Sequence, residues 1–109
     1  MDHEDLAGNM WTNSGETPSN STDDDNNGYI DDVNGYDFVN DDADPNPVGS
    51  DSHGTHVAGI IGAAGDNGTG TVGVCWDVEI MALKAGEDGG LAYSTIIEAI
   101  QYAINNGAK

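Results

Sequence analysis

The 109-residue chain has only two basic residues, Lys84 and Lys109, against 20 acidic ones, a formal net charge of −18. Neutralising phosphates takes Lys and Arg, so a chain this poor in both excludes nucleic acid as a partner. Cysteine is almost absent too: Cys75 stands alone, which rules out an intrachain disulfide. Its apolar neighbours Val74 and Trp76 lead us to expect a buried, unreactive thiol. No apolar run approaches the roughly 20 residues of a membrane span, so no membrane partner is expected. Nor does the chain open on a basic-then-apolar leader; any export address would lie outside it. Aromatics make up 6 % of the residues. Trp11, Tyr29, Tyr36, Phe38 and Trp76 are scattered and not spaced as a stacking platform, which reads as core or turn anchors.

The acids that are present are clustered. Fourteen of the 20 lie between Asp2 and Asp51, which makes cations the obvious counterpart. A salt-rich habitat or plain solubility would explain an acidic surface but not this clustering. The length suits one small domain, and composition divides it near Asp51. Residues 1–51 are polar and rich in Gly, Asn and Asp; residues 52–109 carry regular apolar periodicity and read as the core.

In the second part His53 to Ala64 reads as a short helix with Asp51 or Ser52 as N-cap, and Gly59 and Gly62 allow close packing. "GDNGTGTVG" has too many glycines for a helix or a central strand and reads as a loop, with Val72 to Val74 expected to begin a strand. "DVEIMALKA" places Val78, Ile80 and Ala82 on one face and Glu79, Met81 and Leu83 on the other, a strand covered on both sides. "GEDGG" ends it. Thr95 and Glu98 have capping-box spacing before a helix whose apolar stripe is Ile96, Ile97, Ile100, Ala103 and Ile104, closed by Gly107. Helix, strand, helix is part of an alternating α/β pattern with a parallel sheet.

Two stretches carry chemistry. "DDDNNGYIDD" sets oxygen donors at alternating positions: Asp23, Asp25 and Asn27, then Gly28 for a sharp turn, then the Tyr29 carbonyl, then Asp31. That is the order in which a calcium loop supplies ligands. The twelfth position is Asn34 and not glutamate, so Asp32 is taken as its substitute. Without a cation, repulsion among Asp23, Asp24 and Asp25 leaves only a solvated acidic loop. The other stretch is "DSHGTHVAG", where His53 starts a helix among small neighbours. On spacing alone His53 suits a catalytic or metal-binding role, or else His53 and His56 are both helix histidines hydrogen-bonded to nearby backbone; a metal pair at i and i+3 without a third ligand is weak.

With its flanks, "HGTHVAGIIGA" resembles the histidine motif of the subtilisin-like serine proteases. "GVCWDVEIMALKA" is similar to that family's next core strand, "STIIEAIQYAINNGA" to the following helix, and "DHEDL" to the segment just after the catalytic aspartate. "DDDNNGYIDDVNGYDFVNDDADPNP" is similar to an insertion common in secreted bacterial members. The resemblance covers essentially the whole chain. It implies a three-layer, doubly wound α/β fold with a parallel sheet, here truncated at both ends, and makes His53 the general base of a Ser-His-Asp triad, with His56 structural. It also implies an extracellular parent protein acting on protein or peptide substrates, and a second calcium site joining Asp5 to Asp66 and Asn67.

The sequence departs from the family in what it omits. It has no Asp-Ser/Thr-Gly motif and no Gly-Thr-Ser-Met-Ala-like segment, so of the triad only His53 is expected here and the isolated chain is expected to be inactive. Apolar faces that further strands would cover are expected to make it marginally stable, oligomeric or partly unfolded. The competing reading is a stand-alone acidic calcium-binding module without catalysis.

Overall fold

Strand β1 (Gly35–Asp37) runs parallel to β2 (Ala82–Lys84), with Gly35, Tyr36 and Asp37 opposite Ala82, Leu83 and Lys84. The computed structural model that establishes this describes residues 2–50, 52–87 and 90–109. Gly35 is required at the strand's start: its φ is 126° and a Cβ there would sit 1.8 Å from the Ala82 carbonyl oxygen. Upstream of β2, Ile80 donates to the Asn9 carbonyl at 2.7 Å and accepts from Trp11 N–H at 2.9 Å. This adds a parallel bridge between Met10 and Ile80. The strand expected over 77–85 is thus regular only over Ala82–Lys84, because Ile80 is held by an isolated bridge.

A helix covers each face of this short sheet. On one side lies α1 (His53–Gly62). Its last residue is so close to the sheet that a Cβ on Gly62 would meet Val78 Cγ1 at 2.5 Å, whereas Gly59 faces open space and lends no close packing. On the other side α2 (Tyr93–Asn105) contributes Ala99 and Tyr102 to a core with Tyr36 and Phe38, against which Trp11, Tyr29, Met81, Leu83 and Ala85 pack. Helix, parallel sheet and helix form three layers, as in a part of the subtilisin-like α/β fold. Between β2 and α2, β3 (Gly86–Glu87) and β4 (Gly90–Leu91) form a small antiparallel pair, in and just after the "GEDGG" that ends the strand. Asp88 and Gly89 of "GEDGG", and Asp51 as the alternative N-cap of α1, lie outside the described residues.

Several local expectations are corrected. Val72 to Val74 form no strand; the N–H groups of Gly73, Val74 and Cys75 donate to the carbonyls of Ala63, Ile60 and Ile61. They satisfy acceptors that the C-terminus of α1 would otherwise leave unpaired. That excursion carries Cys75 to the surface, so its thiol is exposed and not buried. Thr95 does not cap α2, which starts at Tyr93 with Ala92 as N-cap. The Thr95 hydroxyl instead hydrogen-bonds the carbonyls of Ala85 (2.7 Å) and Ala92 (2.8 Å), pinning the helix to the end of β2. At the other end Gly107 N–H donates to Ile104 and Ala108 N–H to Ala103, with Gly107 at φ 83°. This is a Schellman closure, in which glycine avoids the strain a side chain would meet.

The largest correction concerns the core. It is not confined to residues 52–109: Leu6, Tyr36 and Phe38 are buried, and so are the polar Asp5, Asn13, Glu16, Asp32 and Asp37. Much of the predicted apolar stripe of α2 is on the outside, with Ile97, Ile100 and Ile104 exposed.

Candidate active-site histidine and calcium sites

His53 is the first residue of α1, exposed at its surface. It borders a cleft of about 360 Å³ whose other walls include Gly54, Ala82, Lys84, Ala85 and Gly86. The helix start and the C-terminal end of β2 therefore meet at one cavity, the position where open α/β sheets carry their sites. His56, one turn along, borders a different cavity with His3 and Asp5. The structure thus separates the two histidines of the motif.

Lys84, one of the residues lining the cleft, is held by charge. Lys84 Nζ lies 2.8 Å from Asp37 Oδ2 and 2.8 Å from Glu87 Oε2. Asn40 Nδ2 bonds the same two carboxylates at 2.9 and 3.2 Å. Hydrogen bonds to Asp37 and then Glu87 hold the Lys84 ammonium well above its ordinary value. Burial pushes the Asp37 carboxyl up, but the donors Lys84, Asn40 and Val39 outweigh it and leave it below the carboxylate range. Glu87 is also lowered, mainly by Lys84. One ammonium ties β1, β2 and β3 together.

The acidic loop folds around its own carboxylates. Asn27 N–H donates to Asp23 Oδ1 (3.1 Å) and Asp25 Oδ1 (3.0 Å), Gly28 N–H to Asp23 Oδ2, and Tyr29 N–H to Asn27 Oδ1. These turns exist because Asp and Asn side chains bond backbone N–H groups two to five residues on, with Gly28 at φ 99° allowing the sharp bend. Glu16, Asp23 and Asp25 each bring a carboxylate oxygen within 4.8 Å of the others. An all-oxygen, multiply charged donor set of this kind fits calcium and lacks the nitrogen or sulfur that zinc prefers.

Glu16 was not among the sequence candidates, since it lies outside the ten-residue motif. It is nevertheless buried and accepts N–H bonds from Asp24, Asp25 and Asp31. Asn13 was also missed; its Nδ2 bonds both Asp25 and Asp32 at 3.0 Å. No local spacing signalled either one. Of the sequence candidates, Asp31 turns to the other side, accepting from Asn20 and Ser21 N–H groups. Asp32 is fully buried and accepts from Asn13, Asn27 and the Tyr102 hydroxyl. The ring of Tyr29 packs into the aromatic core, 5.0 Å from that of Tyr102.

A separate cluster forms at Asp5. Its Oδ1 accepts from Asn67 Nδ2 at 2.9 Å, its Oδ2 from Thr71 N–H at 2.7 Å, and its carbonyl from Ala64 N–H. The Asn67 and Thr71 bonds, in that order, lower its carboxyl below the usual range. Asp5 and Asn67, 62 residues apart, are thus brought together, while Asp66 sits exposed at φ 57° on the adjoining turn.

Comparison with known proteins agrees with this architecture. The subtilase (peptidase S8) family pattern matches residues 1–109, the whole chain. The chain is 43 % identical over 74 residues (67 % of its length, 14 % of the relative's) to a halolysin-like extracellular serine protease, Nep, of Natrialba magadii. It is 31 % identical over 109 residues (98 % of the chain, 17 % of the relative) to halolysin of Haloferax mediterranei. To thermitase of Thermoactinomyces vulgaris it is 36 % identical over 75 residues, 68 % of the chain and 26 % of the relative. It therefore spans about a quarter or less of each of these proteases. Among the described residues no helix is long and apolar enough to cross a membrane. With the family pattern matched from end to end, and α1, the parallel sheet and α2 present in one fold, this chain belongs to the subtilase family of peptidases.

Proposed function

We propose that this chain supplies the general-base histidine and the calcium-binding framework of an extracellular, subtilisin-like serine endopeptidase that hydrolyses peptide bonds in proteins. The observation that carries the reading is His53 at the mouth of α1, facing a cleft walled by the end of β2. In the complete domain its imidazole takes the proton from a serine hydroxyl as that oxygen attacks the peptide carbonyl, then returns the proton to the leaving amine. The serine and the orienting aspartate come from outside the 109 residues, so the chain by itself does not form an acyl-enzyme.

The ion-paired Lys84 in the lining of the same cleft supports the same reading. A peptide held against Gly86 needs a rim that does not move as the proton is transferred, and the Lys84 ion pairs supply it. Calcium would be held by Glu16, Asp23, Asp25 and Asn27, with the Tyr29 carbonyl, and a second ion by Asp5 and Asn67. When bound, calcium offsets the mutual repulsion of these carboxylates and crosslinks the acidic segment.

The decisive experiment is His53→Ala in the full-length protease that carries this segment: peptide hydrolysis should fall by at least about a thousandfold with folding unchanged. Retained activity would remove His53 from the mechanism. A fluorophosphonate probe should label nothing on the 109-residue chain, and labelling would show that a nucleophile is present after all.

A further inference from the structure

The sequence places Asp32 at the end of the acidic loop, as one more oxygen for a cation. In the fold it faces the other way. It is fully buried, and both of its oxygens are engaged: Oδ1 accepts from Asn13 Nδ2 (3.0 Å), and Oδ2 from Asn27 Nδ2 (2.9 Å) and from the Tyr102 hydroxyl of α2. The two amides that hold Asp32 also touch the cation cluster. Asn13 Nδ2 lies 3.0 Å from Asp25 Oδ2, and Asn27 Nδ2 lies 3.2 Å from the same oxygen. A continuous path of hydrogen bonds therefore runs from Asp25 through Asn13 and Asn27 to Asp32 and on to Tyr102, 70 residues further along the chain.

Helix α2 is suited to respond. Its outer face, with Ile97, Ile100 and Ile104, is exposed. It is held to the remainder by Ala99 and Tyr102 in the core and by Thr95 at the end of β2. The second side of the loop reaches it too, since Tyr29 stacks edge-on against Tyr102 and its hydroxyl hydrogen-bonds Glu98 at 3.3 Å. An element with few buried contacts opens at lower free energy than the core it leaves.

We propose that Asp32 is a strut and not a cation ligand, and that its bond to Tyr102 couples cation occupancy of the loop to the docking of α2. The inference rests on the calcium reading of that loop. The physical link is Coulombic. The buried carboxylate of Asp32 is held near the charges of Glu16, Asp23 and Asp25, and a divalent cation among those three offsets the repulsion they exert on it. The docked arrangement, with Asp32 buried against Tyr102, gains most from that offset, so occupancy favours docking and docking favours occupancy by the same factor.

The test uses the 109-residue chain, calcium chloride as the probe, calorimetric titration for binding and amide hydrogen exchange for docking. In the unmodified chain, saturating calcium should slow exchange both in residues 23–31 and in α2. Tyr102→Phe keeps the ring and its core contacts but removes the hydroxyl. It should retain calcium-induced protection of residues 23–31, lose most of that in α2, and bind calcium about fivefold or more weakly, as reciprocity requires. Tyr36→Phe, which deletes a hydroxyl bonded to Asp41 in the same core, should change neither quantity. Equal α2 protection in Tyr102→Phe and the unmodified chain overturns the coupling, as does calcium protection confined to the loop of the unmodified chain. Absence of binding heat and of loop protection at millimolar calcium overturns the calcium reading itself, and the coupling with it.

Discussion

Asp32 and Ile97 reverse the usual order of burial: the aspartate is 0 % exposed and the isoleucine 67 %. The contrast extends to the regions they represent. The acidic first part buries Asp5, Glu16, Asp32 and Asp37 and supplies Tyr36 and Phe38 to the core. The apolar second part leaves Ile60 and Ile61 of α1, and Ile97, Ile100 and Ile104 of α2, exposed. Carboxylates can be buried when each finds donors, and here amides, backbone N–H groups, one hydroxyl and one ammonium provide them. Isoleucines can be buried only by another surface, and a two-stranded sheet has little to give. A low-charge, apolar segment is thus not the same thing as a core.

The contrast can be broken most severely at its meeting point. Tyr102→Ala removes the ring shared by Trp11, Tyr29 and Phe38, and should cost about 3–5 kcal/mol in a denaturant titration. A loss under about 1 kcal/mol would mean that the aromatic cluster contributes little to holding the two parts together.

Next is the ion-paired lysine. Lys84→Met leaves Asp37 buried without its ammonium and should cost about 1–3 kcal/mol, with the β3–β4 pair loosened in amide exchange. The pH dependence checks the same site from the other partner. The Asp37 carboxyl is lowered in the folded chain. Its contribution is therefore complete above the unfolded value near 4 and is lost as pH falls through the folded value. Asp37→Asn should flatten that part of the decline in melting temperature between about pH 5 and pH 2. An unchanged profile would remove Asp37 from the acid transition.

Gly107→Ala tests a smaller element, the closure of α2. At φ 83° an alanine should cost about 1–2 kcal/mol, read as a lower melting temperature. The smallest effect on stability belongs to the exposed face. Replacing Ile97, Ile100 and Ile104 together by serine should change monomer stability by about 0.5 kcal/mol or less per site. It should nonetheless abolish the self-association we expect of the 109-residue chain in sedimentation. A monomeric parent chain would show that these isoleucines do not drive association.

How much of this was legible in the sequence depends on the range of the interaction. His53 opening a helix, the turns of "DDDNNG", and the glycine that closes α2 are local, since each is decided within about five residues by backbone reach and conformational preference. Glu16 and Asn13 were not legible, because nothing near them in the chain marks them as neighbours of Asp23, Asp25 and Asp32. The capping role assigned to Thr95 failed for a related reason: a tertiary acceptor, the Ala85 carbonyl, lay in reach of its hydroxyl. Val72 to Val74 looked like a strand by composition and became the cap of α1, since the unpaired carbonyls at a helix end compete for the same N–H groups.

By itself, the sequence determined the family motif around His53, the alternation of helix and strand, the charge, and the short-range turns that gather the carboxylate oxygens of the acidic loop. Only the tertiary structure decided which acids are buried, which histidine meets the cleft at the end of β2, and that Asp32 turns from the loop toward Tyr102. The reason is physical: a turn closes through atoms a few bonds apart, whereas the environment of a buried charge is set by donors that folding brings in from distant parts of the chain.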